Sequence, residues 1–292
     1  MTNKKTENTV DIAVLSDIHS NHIALQACID YLKKQKIEHL IFLGDYVSNC
    51  AYPQKTMQII YSLIKDYKCW FVRGNREDLL INHANGVDDG WYIPSTSSGS
   101  ILYTYNHLTE SDIQFFKNMK SSDCIDINGL PRIAFCHGSM DSSTQVITQE
   151  TAENYFGKYC TSLILCGHTH IMGCKNYEHG KVINAGSVGT PINETGSAEF
   201  IILHGNVSGW NEEFVEVPFD RMKVVQELTE SGLIEQSKMF GRMIRDLLLT
   251  NQDRWSELLN CAMKICRDET GEDSCVMDDK YLEKAAEILG IE

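Results

Sequence analysis

Apolar runs that read as buried strands alternate with helical patterns at the start of this chain, and each strand-like run ends on a short polar segment. Residues 10–16 form a short apolar run, interrupted by Asp11 and ending on polar Ser16, which predicts a buried strand. Residues 23–36 follow, with Ala24, Ala27, Cys28, Tyr31 and Leu32 at helical spacing. A second strand is predicted over 40–43, a second helix over 53–66 with Pro53 in its first turn, and a third strand over 69–72. Strand, helix, strand, helix, strand predicts a parallel sheet covered on both faces, an α/β architecture.

The pattern then loosens. Residues 82–100 are rich in Asn, Gly, Ser and Thr and read as irregular; they include Trp91 and Tyr92. Thr109 reads as the N-cap of a helix reaching Met119. Strands are predicted over 132–136 and 162–166, with a helix over 150–158 between them. After His170, the turn signals Glu178-His179-Gly180 and His204-Gly205-Asn206 separate short β-prone runs. They predict a second, more antiparallel set of strands that closes the domain near Pro218. From Asp220 onward the pattern is helical. Leu233, Met239, Phe240, Met243, Ile244, Leu247 and Leu248 fit one face, and Trp255, Leu258, Leu259 and Met263 another. Residues 268–273 read as an acidic loop and 281–289 as a last helix. The expected division is an α/β domain over 1–218 and a helical appendage over 219–292, which packs on the core or on a partner and carries no chemical motif.

The formal net charge of −14 argues against a nucleic-acid backbone or an anionic membrane as the main partner, since both reward surplus Lys and Arg. A local basic pocket is still compatible with it. Eleven cysteines are present, an odd number, without Cys-x-x-Cys, and the first nine residues are polar. The expectation is a cytoplasmic protein with reduced thiols. No apolar stretch approaches the roughly 20 residues needed to span a bilayer.

Five polar segments follow strand-like runs: Asp17-Ile18-His19, Gly44-Asp45, Gly74-Asn75-Arg76-Glu77, His137-Gly138 and Gly167-His168-Thr169-His170. In open α/β sheets functional groups collect at the carboxyl ends of strands. Each segment alone is an ordinary loop dipeptide or a lone histidine; as an ordered set they supply two aspartates, one asparagine and four histidines, ligands for two adjacent divalent metal ions.

This set resembles the calcineurin-like metallophosphoesterase superfamily, whose pattern is D-x-H, G-D, G-N-H-[DE], a lone His and G-H-x-H. Residues 16–21 and 184–189 are similar to its small bacterial and archaeal phosphodiesterase branch. The resemblance covers about residues 10–217. It implies a four-layer α/β/β/α sandwich, here with a C-terminal helical appendage. It also implies that Asp17, His19 and His170 bind one metal, that Asn75, His137 and His168 bind the second, and that Asp45 bridges them. Two metals roughly 3.5–4 Å apart share a hydroxide nucleophile and hold the phosphoryl oxygens in line with it. Mixed nitrogen and oxygen ligands suit Mn, Fe, Zn or Co, with Mn and Fe the leading expectation.

The chain departs from the pattern at Arg76, where the family usually has His. Arginine cannot donate a proton near neutral pH, but it makes charge-assisted contacts to phosphate. Arg76 is therefore expected to act with Asp45 in catalysis and to bind substrate, and the preferred substrates are expected to be activated esters or anhydrides. The alternative for Arg76 is a salt bridge with Glu77 or Asp78. His22 and His83 are the candidates to replace the lost acid, though each reads first as a solvated or hydrogen-bonded histidine. Ser20 stands where the family often has glycine. Asn21 is a further expected substrate contact. Trp91 is another, by stacking on a nucleobase; Tyr92, Tyr103 and Tyr105 share that segment. The alternative for all four is a core or lid place, and at least two of them are expected in the core.

The expected activity is hydrolysis of small phosphorylated molecules: phosphodiesters, nucleotides or dinucleoside polyphosphates. Two alternatives stand beside it. One is a protein serine/threonine phosphatase. The other is a metal-poor binding scaffold of the same fold, as in a retromer subunit. The C-terminal helices are a candidate surface for homo-oligomer contact.

Overall fold

A computed structural model describes residues 9–87, 90–91, 95–127, 129–271 and 278–292. In chain order its elements are β1 (Val10–Leu15), α1 (His22–Gln35), β2 (His39–Phe42), α2 (Pro53–Asp66), β3 (Lys68–Phe71), α3 (Asn75–Ala84), α4 (Gly99–Asn106), α5 (Glu110–Lys117), β4 (Ser122–Ile125), β5 (Ile133–Cys136), α6 (Gln149–Tyr159), β6 (Leu163–Cys166), β7 (Gly173–Asn176), β8 (Lys181–Asn184), β9 (Ala198–Asn206) and β10 (Gly209–Val217). The helices α7 (Arg221–Glu230), α8 (Leu233–Ser237), α9 (Met239–Thr250), α10 (Trp255–Thr270) and α11 (Asp279–Leu289) follow.

Two five-stranded sheets form, in the orders β10-β9-β1-β2-β3 and β4-β5-β6-β8-β7. They stack face to face, and the alternation of side chains along each strand shows how. In β1, Ile12 and Val14 join the cluster between the sheets, while Ala13 and Leu15 face α1 and α2. In β6, Leu163 and Leu165 point inward, while Ile164 and Cys166 face α6. Helices thus cover the outer faces, and the architecture is the four-layer α/β/β/α sandwich.

Several local expectations change. The two hairpins after His170 do not build one additional antiparallel set. β9 and β10 extend the first sheet, with β9 antiparallel to β1, whereas β7 and β8 extend the second. Among the described residues of 82–100, both ends are helical rather than irregular, since α3 runs to Ala84 and α4 begins at Gly99. Glu77 and Asp78 in the first turn of α3 complement its dipole. The edge strand β4 carries too little apolar alternation to be read from Ser-Asp-Cys-Ile. The apolar face running from Leu233 to Leu248 spans two helices, because Lys238 takes φ 49° and ψ −125° and breaks the turn between α8 and α9. Asp268 lies in the last turns of α10 rather than in a loop, and residues 272–273 fall outside the described residues.

The C-terminal helices pack on the sandwich. Cys50 and Tyr103 of the α/β part share one core cluster with Val224, Leu228, Leu233, Ile244 and Leu248. Asn251 at the end of α9 donates to Glu194 O at 2.9 Å. Among the described residues the ten cysteines form no disulfide, and no helix is long and apolar enough to cross a membrane.

Candidate metal centre

Because β1, β2 and β3 run parallel in one sheet, and β5 and β6 in the other, the five polar segments emerge at one edge of the sandwich. Backbone bonds tie the loops together: Asp17 N to Gly44 O at 3.1 Å, His19 N to Asp45 O at 2.9 Å and Gly167 N to His137 O at 2.8 Å. At Asp17, His19, Asp45, His168 and His170, φ lies between 51° and 70°. Left-handed backbone is uncommon outside glycine and persists only where the surroundings over-determine it. Ser20, in the family's glycine position, is also left-handed at φ 62°. The motif glycines give clearance: a Cβ on Gly74 would strike the Asp45 carboxylate, and one on Gly167 would strike Ser16 Oγ and Asp17.

The seven expected ligands come together. Asp17 is fully buried, and its Oδ2 accepts from Ser16 Oγ at 2.6 Å and from His168 N at 2.9 Å. Its Oδ1 is buried with no hydrogen-bond partner. That oxygen faces Nε2 of His170 at 3.2 Å, of His19 at 3.6 Å and of His137 at 3.9 Å. His19 and His170 place their Nε2 atoms 3.0 Å apart. Nδ1 of His170 donates to Thr190 O at 3.0 Å, so in the neutral ring its Nε2 carries a lone pair.

The second group is built the same way. Nδ1 of His137 donates to Leu43 O at 2.9 Å, which turns Nε2 toward Asn75 Oδ1 at 3.0 Å. His168 brings Nδ1 to the same oxygen at 3.1 Å. Asp45 lies between the groups, with Oδ1 3.5 Å from His137 Nε2 and Oδ2 3.7 Å from His19 Nε2. Asp17, His19 and His170 form one cluster of ligand atoms close enough to hold an ion, and Asp17, Asp45 and His137 form another.

The electrostatics call for positive charge. Burial alone would raise the Asp17 and Asp45 carboxyls, but His137 beside both, with His170 beside Asp17 and His19 beside Asp45, holds them below the usual carboxylate range. Burial opposes charge on His137, yet Asp45 and Asp17 lift its pKa to about 10. Burial pushes His19 down to about 4, leaving its ring neutral. An orphaned carboxylate oxygen, convergent imidazole nitrogens and an amide oxygen fit divalent cations of the transition series.

Glu77 carried no functional expectation beyond pairing with Arg76, and the structure gives it a different one. Fully buried, it accepts from Asp45 N (2.8 Å), Tyr46 N (2.9 Å) and Gly74 N (2.8 Å), fixing the loop that presents Asp45. The only signal in the sequence was its place in the segment with Asn75. Glu77→Gln exchanges one acceptor for a donor among these amides. Metal affinity is expected to fall roughly 10–100-fold, as for other residues that orient ligands; Mn titration by calorimetry checks this, and an unchanged affinity would refute it.

Arg76 does not pair with its neighbours, since Glu77 is committed to the backbone and Asp78 pairs with Arg73 at 2.5 Å. Its Nε is buried, donates to no acceptor and lies 3.9 Å from Asp45 Oδ2; its guanidinium carbon sits 5.9 Å from the ring of Phe240 on α9. Asn21 serves the fold at both ends of its amide: its Oδ1 caps α1 through Ala24 N at 3.0 Å and its Nδ2 donates to Gly189 O at 2.8 Å. Trp91 stacks on His83 at 5.0 Å and packs against the helix-side core. His83 meets Tyr105 edge-on at 4.5 Å, and Tyr103 is buried against His107. His22 pairs with Glu227 at 3.2 Å. Tyr92 falls outside the described residues.

Comparison with known proteins agrees with this geometry. Residues 10–209 match the family model described as the calcineurin-like phosphoesterase superfamily domain. An uncharacterized protein of Methanocaldococcus jannaschii is 27% identical over 245 residues, which cover 77% of this chain and 94% of that one. A hypothetical protein of Pyrococcus horikoshii superposes with a TM-score of 0.70 at 20% identity, covering 83% of this chain and 99% of the other. A metallophosphoesterase of Sphaerobacter thermophilus gives 0.65 at 20% identity, covering 84% and 100%. These two share the fold.

Proposed function

We propose, from the premise that the chain belongs to the calcineurin-like phosphoesterase superfamily, that it hydrolyses small phosphate esters or anhydrides with a pair of divalent cations. The chain is a metal-dependent phosphoesterase. The observation that carries the proposal of two cations is Asp17 Oδ1, a buried oxygen without a hydrogen bond, facing three imidazole nitrogens.

Asp17, His19 and His170 would hold one ion and Asn75, His137 and His168 the other, with Asp45 touching both. Bound there, Mn or Fe, or in their place Zn or Co, would supply Lewis acidity and an activated water at neutral pH. Arg76 brings a guanidinium whose Nε has no acceptor within the protein, suited to phosphoryl oxygens. The protein backbone keeps the ligands aimed, and the sheet interface keeps water from their rear.

Arg76 supplies no proton, so the best substrates are those whose leaving groups depart unaided: aryl esters and nucleoside polyphosphates. Arg76→His is expected to raise turnover of an alkyl phosphate relative to p-nitrophenyl phosphate by roughly a hundredfold, the low end of acid catalysis. Steady-state kinetics on both esters checks this, and an unaltered ratio removes the link between Arg76 and leaving-group choice. The wider test is a screen of the Mn-loaded protein on nucleotides, cyclic dinucleotides, dinucleoside polyphosphates and a phosphopeptide. Turnover of the phosphopeptide alone would make the protein a protein phosphatase.

A further inference from the structure

Arg76 holds its charge at the metal centre without a hydrogen bond from Nε to any described residue. The carboxylates beside it are committed elsewhere. Glu77 accepts from three backbone amides, and Asp78 accepts from Arg73 Nε at 2.5 Å and from Ser143 Oγ at 2.7 Å. Asp45 Oδ2 is 3.9 Å from Arg76 Nε, beyond hydrogen-bond reach. A long side chain held so loosely keeps much of its rotamer freedom. What stands against it is the ring of Phe240 in the first turn of α9, 5.9 Å from the guanidinium carbon and within range of a cation–π contact. That turn is itself pinned. Lys238, whose backbone break starts α9, donates from Nζ to Asp279 Oδ2 at 2.7 Å, and Asp279 Oδ1 accepts from Thr96 Oγ1 at 2.6 Å. A Cβ on Gly99 would strike Gln236 O, so the start of α4 lies hard against the end of α8. Trp255 of α10 meets the Phe240 ring at 5.7 Å.

An aromatic face suits this task better than a carboxylate would. It attracts a guanidinium through the ring quadrupole and takes none of its N–H donors, whereas a bidentate ion pair takes two donors and cancels the charge. The donors thus stay available to phosphoryl oxygens while the side chain is kept near Asp45. We infer that Phe240 is a positioning residue for Arg76, so that the C-terminal helices complete the active site although they contribute no metal ligand. The assignment rests on the phosphoesterase function proposed above, in which that guanidinium meets phosphoryl oxygens.

A double-mutant cycle on the Mn-loaded full chain tests this. Phe240→Leu keeps an apolar side chain and removes the ring face. It is expected to lower kcat/KM on p-nitrophenyl phosphate by roughly tenfold, with Mn content unchanged. Phe240→Tyr, which restores the face, is expected to recover most of that loss. In an Arg76→Ala background Phe240→Leu is expected to cost no more than about twofold further, because the group it positions is gone. Affinity for inorganic phosphate, measured by calorimetry on the same chains, is expected to follow the same pattern. An equal loss from Phe240→Leu in both backgrounds overturns the assignment and makes Phe240 a packing residue. Full activity of Phe240→Leu overturns it too, as does a Tyr variant no better than the Leu one. Coupled phosphate affinities without hydrolysis by any chain leave the Phe240–Arg76 pair standing and defeat the phosphoesterase function instead. A wild type that neither hydrolyses the ester nor binds phosphate overturns both.

Discussion

Chelation with EDTA is expected to abolish hydrolysis, and added Mn to restore it. Without cations the centre holds two buried carboxylates, Asp17 and Asp45, compensated by protonated imidazole and, at Asp45, by the Arg76 guanidinium 3.9 Å away. None of these replaces a Lewis acid at a phosphoryl oxygen, and Arg76 cannot deliver a proton to a leaving group. Lewis-acid stabilisation is worth several kcal/mol. About 4 kcal/mol corresponds to roughly a thousandfold in rate, so residual activity below a thousandth is the expected reading. Initial rates on p-nitrophenyl phosphate before EDTA, after it and after Mn addition decide the matter. A hydrolase indifferent to chelation would contradict the assignment of all seven ligands.

Asp45→Asn is expected to be almost as damaging while leaving the fold intact. Asparagine tolerates the left-handed backbone at this position, φ 54°, and keeps an oxygen for Arg76 N, which now donates to Oδ1 at 2.9 Å. What disappears is the charge that faces both ligand groups. The expected result is a fall in kcat of roughly a thousandfold, about 4 kcal/mol, with metal content dropping from about two ions per chain toward one. Elemental analysis beside the kinetics separates this from misfolding. Full activity with two ions bound would remove Asp45 from its bridging place.

The strand–helix alternation and the ligand segments were legible because both are local. Ile12 and Val14 against Ala13 and Leu15 declare a two-faced strand within four residues, and Gly167-His168-Thr169-His170 is contiguous. Sheet membership was not legible. Nothing within the β9–β10 hairpin says that it pairs with β1 almost two hundred residues earlier rather than with β8. Asn21 and Trp91 show the same limit at the level of side chains. Asn21 sits inside the motif, yet it meets Gly189, a residue 168 positions away, and that long-range bond fixes its role. Trp91 reads as a stacking platform until His83 takes its face. The loss of motif histidine at Arg76 was visible in the sequence; that Phe240 of the last helices stands over its guanidinium was not.

Five of the seven ligand positions curl in the left-handed sense, and this narrows the alphabet available to them. Of the side chains that bind transition metals, Asp, Asn and His tolerate that twist best, whereas Cys and Glu lack the same ease. The loops thereby favour their own ligands before any ion arrives, and a redesign that swaps in thiolates for softer metals would carry extra backbone strain at each of these positions.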